Sequence, residues 1–206
     1  QPGAGQTALR VTGPGVARTT PDFAALQVMN GALGGMFSSR LNNNLRETKG
    51  YTYGIYSGFR FDRTPGPFLI DSTVERAHTG ASVRGVFRGA EGRREAPLPA
   101  AELTAARAAL LLSLPGQFET NADVGASLAE LFVYGLPLDY YKGLPAQLRI
   151  VTAGQVQDVA RKYLDPQQMK VIAVGDRKRI LPQLQPLGLG AAEMRDSDGQ
   201  LPRQTP

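Results

Sequence analysis

The sequence predicts an α+β domain in which helices pack on one face of an antiparallel or mixed sheet. Three observations carry that reading. A strand-like opening run, QTALRVTG, is followed by helical segments before any second strand. Two runs dense in aromatic and β-branched residues, YTYGIYSGFRF and GPFLIDSTVE, lie back to back across the turn Thr64-Pro65-Gly66-Pro67 and read as an antiparallel hairpin. A long helical stretch then leads into one more short apolar run, MKVIAV, which belongs to the same sheet. With 206 residues, 42% of them hydrophobic, the chain can bury a substantial core.

The elements follow from punctuation and period. QTALRVTG alternates and ends in Gly13-Pro14-Gly15, a strand closed by a turn. Thr20-Pro21-Asp22 offers an N-cap and a first-turn proline for a buried helix, DFAALQVMNGAL, and Gly34-Gly35 breaks it. FSSRLNNNLRETKG reads as a short polar helix, with Ser38 or Ser39 as cap and Gly50 as stop. The hairpin occupies residues 51–61 and 67–75 and is expected at the centre of the sheet. TGASVRGVFRGAEG is a weak helix; PAAELTAARAALLLSLPG is a strong one that stops at Pro115-Gly116. ETNADVGASLAELFVYG and PLDYYKGLPAQLRIV follow, the second weakened by Gly143 and Pro145, so residues 102–164 should be nearly all helical. In TAGQVQDVARKYL, Thr152 and Gln155 have capping-box spacing, and Val156, Val159, Ala160 and Tyr163 form one stripe. RKRILPQLQPLGLG is a marginal helix. The organisation expected is one domain over residues 1–190 and a polar tail over 191–206.

Composition removes several function classes. Without cysteine the chain can hold no disulfide, iron–sulfur cluster or thiolate zinc site. The net charge of +5 comes from scattered arginines and the run Arg177-Lys178-Arg179, without interleaved aromatics; this is a solvated face, and no nucleic-acid partner is expected. No run approaches the ~20 apolar residues of a membrane span. The start, QPGAGQTALRV, has neither an initiator Met nor a leader pattern and reads as part of a longer polypeptide.

Self-contained catalytic machinery is missing from the sequence. There is no G-x-S-x-G elbow, no phosphate loop and no dinucleotide fingerprint. The single histidine, His78, lacks a second imidazole for a metal site and reads as a surface residue at a helix start. Asp71 and Glu75 share a strand face but are strand-end charges in water. That leaves NLRETKGYTYG. Arg46 occupies the last helical turn, where the dipole favours a cation. Period two then puts Tyr51, Tyr53 and Ile55 on one face of the strand, with Thr52 and Tyr56 on the other. From the residues alone two readings stand: Arg46 complements the helix dipole while the tyrosines pack, or guanidinium and phenol both donate hydrogen bonds toward one oxygen.

SRLNNNLRETKGYTYG, preceded by a helix and LGG, resembles the corresponding segment in the C-terminal halves of the pitrilysin/insulinase family of zinc metallopeptidases, the group that includes mitochondrial processing peptidase. The resemblance spans residues 6–190. It extends through GPGVARTTPDFAALQVMN, LPGQFETNADVGASLAELFVYGLPLDYY and VTAGQVQDVARKYLDPQQMKVIAVGD. It implies a clam-shell of two homologous halves enclosing a peptide. Zinc sits in the other half on an inverted H-x-x-E-H motif that this sequence lacks, so the chain is similar to the metal-free half and holds no cofactor itself. That half's catalytic contribution is an arginine and a tyrosine with six residues between them, a spacing matched by Arg46 and Tyr53.

Tyr51 stands where the family commonly has an aliphatic residue; it is the second candidate tyrosine and the better packing residue. Asn42, Asn43 and Asn44 precede the motif and either bond within the corner or touch substrate; Asn43 and Asn44 are taken as the substrate-binding candidates. The partners implied are a zinc-bearing half, fused upstream or separate, and a peptide that adds as a strand to a sheet edge; a homodimer of the isolated domain is also allowed. The resemblance further suggests a periplasmic or exported bacterial location, with a cytoplasmic one left open. The rival reading is a structural half that keeps the fold without proteolysis.

Overall fold

A computed structural model describes residues 2–196 and 198–201. Its sheet has four antiparallel strands, β1 (Gln6–Pro14), β2 (Thr52–Phe59), β3 (Pro67–Glu75) and β4 (Lys170–Val174), in the order β2-β3-β1-β4. The hairpin β2–β3 forms as the sequence implies, but it is not central: β2 is an edge and β1 takes the middle beside β3. The reason is pairing length. β1 registers with β3 along its whole length, from Gln6 opposite Glu75 to Pro14 opposite Pro67, and its other side is then filled by the short β4. MKVIAV thus joins the sheet as expected.

The α+β class with helices on one face holds. Val11, Ile55, Ile70 and Phe68 point into the main core with Leu26, Met29 and Leu33, and Leu9 joins Val74 and Val83 in a second, smaller cluster, while Ala8, Arg10, Tyr56, Ile172 and Val174 remain on the other, open face. The covering helices are α1 (Phe23–Asn30), α2 (Arg40–Asn42), α3 (Thr79–Glu95), α4 (Ala100–Ser113), α5 (Asn121–Tyr134), α6 (Tyr140–Ile150), α7 (Ala153–Tyr163) and α8 (Arg177–Leu184). Residues 102–164 are largely helical, as their periodicity implies. α7 begins with the expected capping box: Thr152 Oγ1 accepts from the Gln155 N–H at 3.2 Å, and Gln155 Oε1 accepts from the Thr152 N–H at 2.8 Å. α5 has a second box, from Thr120 and Asp123, and stops at Gly135 with φ +63°.

The first helix starts later than Thr20-Pro21 implies. α1 begins at Phe23, although Thr20 Oγ1 does accept from the Asp22 N–H at 3.2 Å; the Asp22 side chain makes no capping bond. The Asp22 carboxylate instead accepts from Lys162 Nζ and the Tyr163 hydroxyl, each at 2.8 Å, tying α1 to the end of α7. Gly34 and Gly35 end the helix as expected: α1 runs on through a wider π-type turn, Gly31–Gly35, and Met36 is extended (φ −121°, ψ 157°). The glycines serve close approach: a Cβ on Gly34 would lie 2.5 Å from Ser57 Oγ, and one on Gly35 2.6 Å from Asn30 Nδ2. The polar helix forms too, as α2 prolonged by a π-type segment Asn43–Thr48, its Leu41 and Leu45 seated against Gly89 and Gly85 of α3. Ser39 is its N-cap residue but makes no side-chain capping bond. Of the segment read as a polar tail, residues 191–196 and 198–201 form no helix or strand; residues 197 and 202–206 lie outside the described residues.

Candidate functional site

The corner containing Arg46 and Tyr53 is built in three steps. The π-type segment ends as the Gly50 N–H bonds to the Arg46 carbonyl (3.0 Å) and the Tyr51 N–H to the Leu45 carbonyl (2.9 Å), with Gly50 at φ +66°. The chain then enters β2, where Thr52 registers with Val74 but Ile55 with Ser72: Tyr53 and Gly54 together oppose one residue of β3. This is a bulge. Thr52 stitches it, since its Oγ1 bonds to the Thr73 carbonyl (2.7 Å), the Gly54 carbonyl (2.9 Å) and Ser72 Oγ (2.9 Å).

The bulge overturns the period-two assignment of the strand. Tyr53 is not on the face of Ile55, which is fully buried; it is 91% exposed and lines the open face with Tyr56. Thr52, expected opposite Ile55, faces inward beside Val74. One extra residue reverses the alternation, and Gly54 supplies the room: a Cβ there would lie 3.1 Å from the Tyr56 ring.

Arg46 lies at the helix end, its guanidinium 4.1 Å from the centroid of the Phe37 ring and ion-paired with its neighbour Glu47. No bond joins it to Tyr53, and it is not among the residues lining the open-face cleft. Tyr51 packs: it stacks on His78 with ring centroids 4.0 Å apart and joins the core margin. Asn43 bonds within the corner, through Nδ2 to the Ser38 carbonyl at 3.1 Å, and Asn44 is half-buried with its carbonyl accepting from the Lys49 N–H. Asn42 is fully buried and bonds to both backbone polar groups of Ile55.

The open face carries a cleft of about 850 Å³ that sequence reasoning did not foresee. One row of the sheet crosses it, Tyr56–Asp71–Arg10–Ile172, set by the registers Tyr56 opposite Asp71, Asp71 opposite Arg10 and Arg10 opposite Ile172. Arg10 Nε donates to Asp71 Oδ1 at 2.5 Å, so the floor is an internally neutralised pair flanked by an aromatic and an aliphatic side chain. Asp71 is therefore a partnered cross-strand residue. The other strand carboxylate, Glu75, is 3.6 Å from His78 Nε2. The two Arg10 pairings join residues about 60 and about 160 positions apart, which period alone cannot do.

The chain's donors do not suit zinc. His78 is stacked on Tyr51 with one carboxylate near, and among the described residues no group of three or more His, Cys, Asp or Glu could hold a metal ion.

The domain is a one-sided α+β layer with an open, tyrosine-bearing cleft. Residues 1–110 match the family described as the peptidase M16 inactive domain. A solved peptidase M16 inactive domain from Pseudomonas fluorescens is 30% identical with a TM-score of 0.77, over 84% of this chain and 41% of that one. The inactive peptidase domain from Bordetella parapertussis is 21% identical (TM-score 0.71; 83% of this chain, 93% of that one), and a chain of complex III2 from Candida albicans is 10% identical (TM-score 0.76; 90% and 47%). The last two share the fold. No curated protein matches the chain. The chain belongs to the peptidase M16 family, as the metal-free C-terminal half that its sequence resembles, and spans about two-fifths of the Pseudomonas relative.

Proposed function

We propose that this domain binds peptide against its open sheet face and stabilises the transition state of peptide-bond cleavage from the wall opposite a homologous, zinc-bearing half. The observation that carries the proposal is Tyr53: a phenol 91% exposed at the rim of the cleft, whose hydroxyl bonds to no other described residue. A large side chain held out of the core by a stitched bulge is available to a ligand. In this reading the Tyr53 hydroxyl donates to the scissile carbonyl oxygen as negative charge grows on it. Arg46 adds a second, charged donor once it exchanges Glu47 for substrate. That exchange is cheap because a solvent-exposed ion pair contributes only about 0–1 kcal/mol. Zinc would supply activated water from the partner half; the part of this chain is to hold peptide and donate hydrogen bonds. Asn43, Asn44 and Tyr51 are further candidate substrate contacts from outside the lining of the cleft.

The test uses the complete enzyme, this domain together with its zinc-bearing half, and a fluorogenic peptide. Tyr53→Phe keeps the ring and removes one donor, so kcat should fall about 10²-fold or more, with an unchanged circular dichroism spectrum. Full activity in Tyr53→Phe would overturn the proposal and leave the domain a structural half.

A further inference from the structure

β2 is an edge strand, yet both backbone polar groups of Ile55 and the Ser57 carbonyl are already bonded. Asn42 Nδ2 donates to the Ile55 carbonyl at 2.8 Å, and Asn42 Oδ1 accepts from the Ile55 N–H at 3.0 Å, so one side chain imitates a neighbouring strand. The pairing fixes the amide's orientation, since only one assignment satisfies both bonds. Two residues on, Asn30 Nδ2 donates to the Ser57 carbonyl at 3.0 Å and Ser57 Oγ donates to Asn30 Oδ1 at 2.6 Å. Asn42 has no exposed surface and is further held through Nδ2 near the Met36 carbonyl (3.2 Å) and Ser39 Oγ (3.3 Å). The edge is thereby closed to an added strand at Ile55 and Ser57. A peptide meeting β2 has to approach across the open face, where Tyr53 stands.

We propose that Asn42 is a positioning residue for Tyr53: by binding both polar groups of Ile55 it fixes the downstream end of the bulge, and so the direction in which the chain presents the phenol. The role rests on the catalytic reading of Tyr53. Its physical basis is that a bulge leaves the ladder locally unpaired and free to slip by one residue, and a slip here would turn Tyr53 toward the core. Thr52 holds the upstream end through its bond to the Thr73 carbonyl of β3, and Asn42 holds the downstream end from the helix that also carries Arg46. The two candidate donors are therefore referenced to one short segment, residues 42–46.

Two measurements separate this role from general stability. Amide hydrogen exchange on the folded domain should show the Ile55 N–H protected despite its edge position, and Asn42→Ala should speed its exchange about tenfold or more while Val11 and Ile70 in the central strands are unchanged. In the complete enzyme, Asn42→Ala should lower kcat about tenfold when Tyr53 is present and by less than about twofold in a Tyr53→Phe background, because a misplaced hydroxyl matters only where there is a hydroxyl. Asn42→Asp tests the same geometry with the shape kept and the donor to the Ile55 carbonyl lost. An Ile55 amide that exchanges equally fast in wild type and Asn42→Ala overturns the clamp. Losses that simply multiply in the double variant overturn the positioning role, leaving Asn42 structural. If Tyr53→Phe alone keeps full turnover while Ile55 still loses protection in Asn42→Ala, it is the catalytic reading of Tyr53 that has failed, and the positioning role falls with it.

Discussion

Replacing Gly34 by alanine should loosen the seat of β2 on the first helix, by an amount that can be set against a built-in control. A Cβ at Gly34 would stand 2.5 Å from Ser57 Oγ, 2.9 Å from Ser57 Cβ and 3.0 Å from Leu41 Cδ1. Ser57 can rotate its hydroxyl away only by giving up its 2.6 Å bond to Asn30, and Ser57 Cβ can retreat only with the strand. Overpacking of this kind costs about 1–3 kcal/mol, and the lost hydrogen bond about 1 kcal/mol more. Alanine's better helix propensity returns roughly 1 kcal/mol. The net loss is then about 1–3 kcal/mol, a fall in Tm of roughly 3–10 °C for a chain of this length. Gly31, in the same turn, is the control: its nearest neighbour would be Ala106 Cβ at 3.8 Å, an ordinary contact, so Gly31→Ala should hold or raise Tm. Thermal unfolding by circular dichroism reads both. Equal melting of the two variants would refute the claim that Gly34 is required by contact with β2.

Further outcomes follow from the charges. Glu102 is held below the usual carboxylate range chiefly by its bidentate hydrogen bonds to Arg40, at 2.6 and 2.7 Å, which outweigh the opposing effect of burial. A lowered folded-state pKa adds stability above the unfolded value that disappears as pH falls through the folded one. Glu102→Gln should thus destabilise at pH 7, by about 1 kcal/mol or less for so solvated a pair, and the gap should close in urea titrations below about pH 4. A gap that persists at low pH would mean that the charge pair is not its source. Metal analysis of the isolated domain after dialysis against a weak chelator should find no stoichiometric zinc; a tightly held equivalent would overturn the metal-free assignment.

How far the fold could be read depended on whether the signal was local. The Thr152–Gln155 box, the Gly50 stop and the hairpin turn are set by residues within a few positions of each other, and all appear where their types imply. The placement of β2 at an edge depends on β1 finding β3 some 60 residues away, and nothing in YTYGIYSGFRF marks it. Three asparagines in succession looked equivalent. Only Asn42 follows Leu41 on the inward side of the helix, and what it meets there is the backbone of Ile55, 13 residues further on. Asp71 reads as a strand-end charge in water, and only the register shows that it pairs with Arg10 to form the cleft floor.

The bulge is the instructive failure, because it decides the site. A strict alternation places Tyr53 beside Ile55, in the core, where a phenol would need a buried partner for its hydroxyl and could not reach a ligand. The visible clue was Gly54, a strand-interior glycine, which signals either a bulge or a close approach. Here it serves both: the extra residue turns Tyr53 outward, and the missing Cβ admits the Tyr56 ring. An alanine at position 54 would press on that ring at 3.1–3.4 Å, so it should shift Tyr56 before it unfolds anything. In the complete enzyme Gly54→Ala is therefore expected to perturb KM for peptide more than Tm. A variant that instead melts more than about 10 °C lower with KM unchanged would show that the glycine serves the backbone of the bulge alone.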